Sequence, residues 1–137
     1  MNVKHLDHLN LSVTDFGATV AWYGRVFGFE LVEDGVEDGV RWGVLRGGEA
    51  MLCIYEHRDY RPLDRWALKG ERLHGVSHFG LRIVDRGAWE ATLAREGLTV
   101  LYGGAVAWPH STSWYIKDPT GYEIEVACWD GDVAKFD

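Results

Sequence analysis

The chain has 137 residues, 47% of them hydrophobic and 13% aromatic, enough for one compact unit with a real core and too apolar for a disordered chain. Its 14 Lys and Arg face 21 Asp and Glu, a net charge of −7, so no nucleic acid is expected as a partner. No apolar run matches a bilayer, and Met1 to Asn10 lacks the apolar stretch and cleavage site of a signal peptide, so no membrane partner and a cytoplasmic location are expected.

Taken in order, the first element is the strand in His8-Leu-Asn-Leu-Ser-Val-Thr-Asp15. Alternation puts His8, Asn10 and Ser12 on one face and Leu9, Leu11 and Val13 on the other. Asp15 then caps a helix whose apolar positions include Phe16, Val20, Tyr23 and Phe27, closed by Gly28. Strands follow from Phe29 to Glu33, Arg41 to Leu45 and Met51 to Tyr55, with glycine-rich turns between them. His57 to His74 reads as a polar linker. His74 and His78 stand four apart, but Gly75 and Val76 argue against a helix there.

The pattern then begins again. His78-Phe-Gly-Leu-Arg-Ile-Val-Asp85 repeats His-x-x-Leu-x-(Val/Ile)-x-Asp at a distance of 78 − 8 = 70 residues, about half of the chain. Asp85 precedes a helix with Trp89 and Leu93 on one face, ended near Gly97. Strands are predicted from Thr99 to Tyr102, Ser113 to Ile116 and Tyr122 to Ala127. The expected fold is α+β: two βαβββ modules forming a curved, partly open mixed sheet around a metal or ligand cavity. The expected division is a single domain over 1–137, with modules at about 3–56 and 75–128 and a linker over 57–74. Cys53 and Cys128 lie in apolar segments, which favours buried thiols over a disulfide.

Alternation in the second module sets His78 with Gly80 and Arg82, and Glu123 with Glu125 and Ala127. Histidines at matched places in a duplicated pair of strands, with a carboxylate on the closing strand, suggest a cavity lined by His8, His78 and Glu125. Two imidazoles and a carboxylate suit one divalent ion and leave positions open for substrate or water.

The chain resembles the vicinal oxygen chelate superfamily, which includes glyoxalase I, extradiol dioxygenases, fosfomycin-resistance enzymes and bleomycin-binding proteins. The resemblance rests on Asp7-His8-Leu9-Asn10-Leu11, on Ser77-His78-Phe79, and most specifically on the run from Trp114 to Glu125 with its Asp118-Pro119-Thr120-Gly121 turn. It implies metal ligands at His8, His78 and Glu125, with Fe2+ or Mn2+ favoured and Zn2+, Ni2+ or Co2+ also suitable. It also implies a small-molecule substrate with neighbouring oxygens and a homodimer, in which a site can draw ligands from two chains.

The resemblance to glyoxalase I implies a fourth ligand on the strand from Met51 to Tyr55, where this chain has Cys53. Fosfomycin-transferring members carry a lysine before the final hairpin, and Ala105 to Ser111 has none. Extradiol dioxygenases match the His/His/Glu set and carry a tyrosine ten residues before the Glu, here Tyr115, but their acid–base histidine on the Met51 strand is missing. His110 and His57 are candidate substitutes. The expectation is a metal-dependent enzyme closest to a dioxygenase, with Tyr115 and His110 as catalytic candidates. The alternatives are a glyoxalase-like isomerase or lyase, and a metal-free drug-binding protein using Trp42, Trp66, Trp108, Trp114 and Trp129. In a third class, the polar faces are simply wet and the chain is a structural module.

Overall fold

A computed structural model describes residues 2–137. The chain divides into two units, Met1–Arg61 and Pro62–Asp137, and each builds an open four-stranded mixed sheet. In the first unit the strands are β1 (Leu9–Val13), β2 (Glu30–Glu37), β3 (Val40–Gly47) and β4 (Ala50–Glu56), with helix α1 (Phe16–Phe27) after β1. In the second, helix α2 (Arg65–Glu71) precedes β5 (Phe79–Ile83), α3 (Arg86–Glu96), β6 (Val106–Trp108), β7 (Ser111–Lys117) and β8 (Glu123–Trp129). The strand orders are β1-β4-β3-β2 and β5-β8-β7-β6. Each order maps onto the other, and each opens with a parallel pair. The α+β reading with two βαβββ units therefore holds.

The repeat extends to the helix ends. Asp15 Oδ1 accepts from the Ala18 amide at 2.8 Å and Asp85 Oδ1 from the Ala88 amide at 2.9 Å, which satisfies backbone donors that a helix start leaves without partners. Gly28 (φ 71°) and Gly97 (φ 60°) close the two helices in the left-handed conformation that glycine adopts without penalty.

Three expectations need correction. The buried stripe of α1 is Phe16, Thr19, Tyr23 and Val26, so the helix is turned slightly from the face centred on Val20 and Phe27. Thr19 joins the core because its hydroxyl donates to the Asp15 carbonyl at 2.7 Å. The strand expected at Thr99 to Tyr102 is absent, and β6 lies further on at Val106–Trp108. Tyr102, Gly103 and Gly104 all have positive φ (57°, 84° and 121°), which no extended strand accommodates. The polar stretch read as a linker contains α2, capped by Asp64, whose carboxylate accepts from the Trp66 and Ala67 amides.

The core of the first unit is Val13, Phe16, Tyr23, Leu45, Leu52 and Ile54, each 1% exposed or less. In the second unit Ile116, Ile124 and Val126 are equally buried, with Trp114 at 3% and Trp89 at 4%. Each such side chain contributes roughly 1.5–3 kcal/mol by leaving water, and these residues hold β4 and β8 in place. No helix among the described residues is long and apolar enough to cross a membrane.

Candidate metal and substrate site

The second unit gathers a polar cluster on one face of β8. The turn before β8 depends on Asp118, whose Oδ1 accepts from the Thr120, Gly121 and Tyr122 amides at 2.8 to 3.0 Å. Gly121 takes φ 111° there, a region that a side chain would strain. This is the physical content of the Asp-Pro-x-Gly motif: a buried carboxylate collects three amides and fixes the register of β7 on β8. Ile124, Val126 and Trp114 fill the core, so alternation turns Glu123 and Glu125 together to the opposite face.

His78 stands one residue before β5, which runs parallel to β8 with Gly80 opposite Glu125. The imidazole Nε2 lies 2.9 Å from Glu125 Oε2. On the other carboxylate oxygen, Ser113 Oγ donates to Oε1 at 2.7 Å. Tyr115 faces Glu125 across β7 and β8, and its ring meets His78 edge-on at 5.7 Å. Burial first, then the charge of Glu125 and a hydrogen bond to it, push the Tyr115 phenol above its ordinary value. Tyr115 is therefore a hydrogen-bond donor at neutral pH, with no tendency to act as a base.

Behind His78 lies a group that sequence reasoning missed. Arg65, the first residue of α2, donates from Nη2 to His78 Nδ1 at 2.5 Å and to Glu123 Oε1 at 2.7 Å. The Tyr102 hydroxyl donates to Glu123 Oε2 at 2.7 Å. The Glu123 side chain is 2% exposed, so these two donors are what make its burial tolerable. Two signals were available: Asp64 ahead of Arg-Trp-Ala-Leu-Lys is a helix start, and Glu123 shares the face of Glu125.

The remaining candidates are distributed as follows. His8 belongs to the first unit, where Asp7 Oδ2 takes its Nδ1 at 2.8 Å. His110 Nε2 lies 2.9 Å from the Asp137 carbonyl oxygen. It also lines a cavity of about 300 Å³ together with Trp108, Ser111, Glu125, Trp129 and Phe136. Trp114 is core, and Trp66 is 56% exposed. His57 stacks on Tyr60 at 4.2 Å. Cys53 is a thiol whose pKa is raised by burial and then by Asp7, which disfavours the thiolate a metal would need.

Among the described residues, no three His, Cys, Asp or Glu side chains lie close enough together to hold an ion. His78 and Glu125 do fit as two ligands of one. Donors bound to an ion at about 2.0–2.2 Å stand roughly 3 Å apart, and Nε2 and Oε2 are 2.9 Å apart. His8 fits as well, because a carboxylate at Nδ1 leaves Nε2 for the metal.

Residues 5–126 match the family model described as the Glyoxalase/Bleomycin resistance protein/Dioxygenase superfamily. The chain belongs to that superfamily. Solved structures agree in fold. A glyoxylase/bleomycin resistance protein/dioxygenase domain from Frankia sp. EAN1pec is 16% identical, with a TM-score of 0.77 over 96% of both chains. The fosfomycin resistance protein FosX from Listeria monocytogenes, in complex with Mn(II) and a dihydroxypropylphosphonic acid, is 15% identical, with a TM-score of 0.71 over 93% of both chains. A lactoylglutathione lyase from Agrobacterium tumefaciens is 25% identical, with a TM-score of 0.65 over 93% of this chain and 96% of that one. No curated protein matches the chain. The superfamily includes both enzymes and non-enzymatic binders, so membership alone does not fix the chemistry.

Proposed function

We propose that this member of the superfamily is a divalent-metal-dependent enzyme acting on a small molecule with two neighbouring oxygens, by chemistry closest to that of a dioxygenase. The observation that carries the reading is the 2.9 Å approach of His78 Nε2 to Glu125 Oε2, beside a cavity that Glu125 also lines. His8 is the third ligand, supplied by the second chain of a homodimer, and Fe2+ or Mn2+ fills the site. When bound, the ion supplies Lewis-acid stabilisation of negative charge on substrate oxygens.

The chain's own residues do the rest. Ser113 fixes the Glu125 carboxylate by holding Oε1. Tyr115 gives its phenolic hydrogen to Glu125, and its raised pKa keeps that hydrogen in place. Trp108, Trp129 and Phe136 make one side of the cavity apolar. His110 shares the cavity wall and moves a substrate proton. The protein acts in a reducing cytoplasm, with Cys53 and Cys128 as thiols.

Metal analysis of the full chain, followed by melting with added Mn2+ or Fe2+, tests the reading. Binding to the native state raises stability, so both ions should raise Tm in the wild type and neither should in His78→Ala or Glu125→Ala. Less than about 0.2 ion per chain, with no gain in Tm, defeats it.

The same aromatic wall supports a second reading, a binder of flat apolar molecules without a metal. Tight binding of an aromatic ligand by metal-free protein, unchanged in Glu125→Ala, would favour that reading.

A further inference from the structure

The two histidines proposed as ligands differ in what stands behind them. His8 Nδ1 meets the Asp7 carboxylate at 2.8 Å, a partner that accepts a hydrogen and turns the Nε2 lone pair outward. His78 Nδ1 meets the Arg65 guanidinium, which has donors and no acceptor. A nitrogen that accepts from a guanidinium carries no hydrogen. In the neutral imidazole the hydrogen is then on Nε2, where it points at Glu125 Oε2, 2.9 Å away. A continuous hydrogen-bonded line joins Glu123 through Arg65 and His78 to Glu125, with the buried Arg65 Nε left without a partner.

A metal needs the Nε2 lone pair. Taking it moves the hydrogen to Nδ1, where Nδ1–H and the guanidinium N–H would meet donor against donor. The positive charge of Arg65 also opposes a second cation nearby. Arg65 is anchored: it is paired with the buried Glu123 and carries the Asp64-capped start of α2.

We propose that Arg65 is a positioning residue that competes with the metal for His78, holding the site in a metal-free, hydrogen-bonded form until the guanidinium leaves Nδ1. The inference rests on the reading of His78 as a metal ligand. It concerns which nitrogen holds the hydrogen at constant net charge, so it does not depend on a titration. Its consequence is a site whose metal affinity is set below what its ligands alone would give, so that occupancy follows the supply of the ion.

Calorimetric titration of metal-free, full-length protein with Mn2+ tests this in the wild type, in Arg65→Met, and in Arg65→Met/Glu123→Gln. The double variant removes both charges together, so Glu123 is not left buried and unpaired if the single variant fails to fold. A hydrogen bond to a charged group is worth about tenfold or more in an equilibrium. The variants should therefore bind Mn2+ at least about tenfold more tightly than the wild type. Equal or weaker binding by the variants overturns the proposal and leaves the metal reading standing. No binding by any of the three defeats both. Independently, the imidazole 15N shifts of His78 in metal-free wild type should show the hydrogen on Nε2, and should show it on Nδ1 after Zn2+ is added. A hydrogen on Nδ1 before metal overturns the proposal.

Discussion

Ser113 Oγ donates to Glu125 Oε1 at 2.7 Å, which leaves Oε2 of the same carboxylate to His78. The serine is 1% exposed and shares the sheet face of Tyr115, so its role is to aim the carboxylate. Ser113→Ala should weaken Mn2+ binding by roughly tenfold, as expected on removing a group that orients a ligand, and should cost about 1 kcal/mol of stability. Calorimetry and a urea melt measure the two effects. Unchanged affinity would mean that Glu125 needs no such support.

If each site takes His8 from one chain and His78 with Glu125 from the other, two inactive variants repair each other. Mixing unfolded His8→Ala with His78→Ala and refolding them together should restore about a quarter of the wild-type metal sites, because half of the dimers are mixed and each has one intact site. Sites built within one chain recover nothing. Light scattering that reports only monomer rules the arrangement out.

Alkaline pH should reveal the two phenols of the cluster. Burial is the largest cause raising both Tyr102 and Tyr115 above the ordinary value of 10.0, with Glu123 next for Tyr102 and Glu125 next for Tyr115. Because the folded-state value exceeds the unfolded one, their stabilisation is complete below the ordinary value and vanishes as pH rises through the folded value. Tyr102→Phe/Tyr115→Phe should therefore lose less stability than wild type on going above pH 10, as read from Tm against pH.

Acid should loosen the start of α1. Glu56 Oε2 accepts from the Phe16 amide at 2.7 Å, and Oε1 from Arg58 at 3.0 Å. The amide is the larger cause holding this carboxyl below its ordinary 4.5. That contribution is present above the ordinary value and lost as pH falls through the folded one. Glu56→Gln should melt earlier than wild type at pH 7, and the difference should shrink towards pH 3.

The Asp118 turn should be costly to disturb. Asp118→Ala removes an acceptor shared by three amides and should cost about 3 kcal/mol, counting hydrogen bonds to a charged group as partly additive. Because the turn sets where β8 begins, Mn2+ affinity should fall as well. A melt showing less than about 1 kcal/mol lost would mean that the strands fix the register alone.

The duplicated His-x-x-Leu-x-(Val/Ile)-x-Asp pattern made both units legible, down to the aspartate caps and the closing glycines. Alternation on β5 and β8 was enough to bring His78 and Glu125 together. Arg65 escaped because it begins a seven-residue helix with no buried residue to set a period, inside a stretch of mixed charge. Glu123 was on the correct face, but a buried carboxylate is recognisable only once its donors are known, and these come from α2 and from Tyr102. The left-handed run from Tyr102 to Gly104 shifted β6 past the β-prone residues that precede it. The placement of His110 beside the Glu125 cavity depends on residues far apart in sequence, which spacing does not reveal.

The matched registers have a further consequence. Asn10 lies opposite Cys53 just as Gly80 lies opposite Glu125, so the thiol occupies the carboxylate's place in the other half of the duplication. One exchange, Cys53→Glu, would give both halves an identical pair of donor residues. The difference between the two halves at this register position thus comes down to one side chain, and comparing Mn2+ affinity before and after that exchange would measure whether a carboxylate there joins the site that His8 is proposed to share.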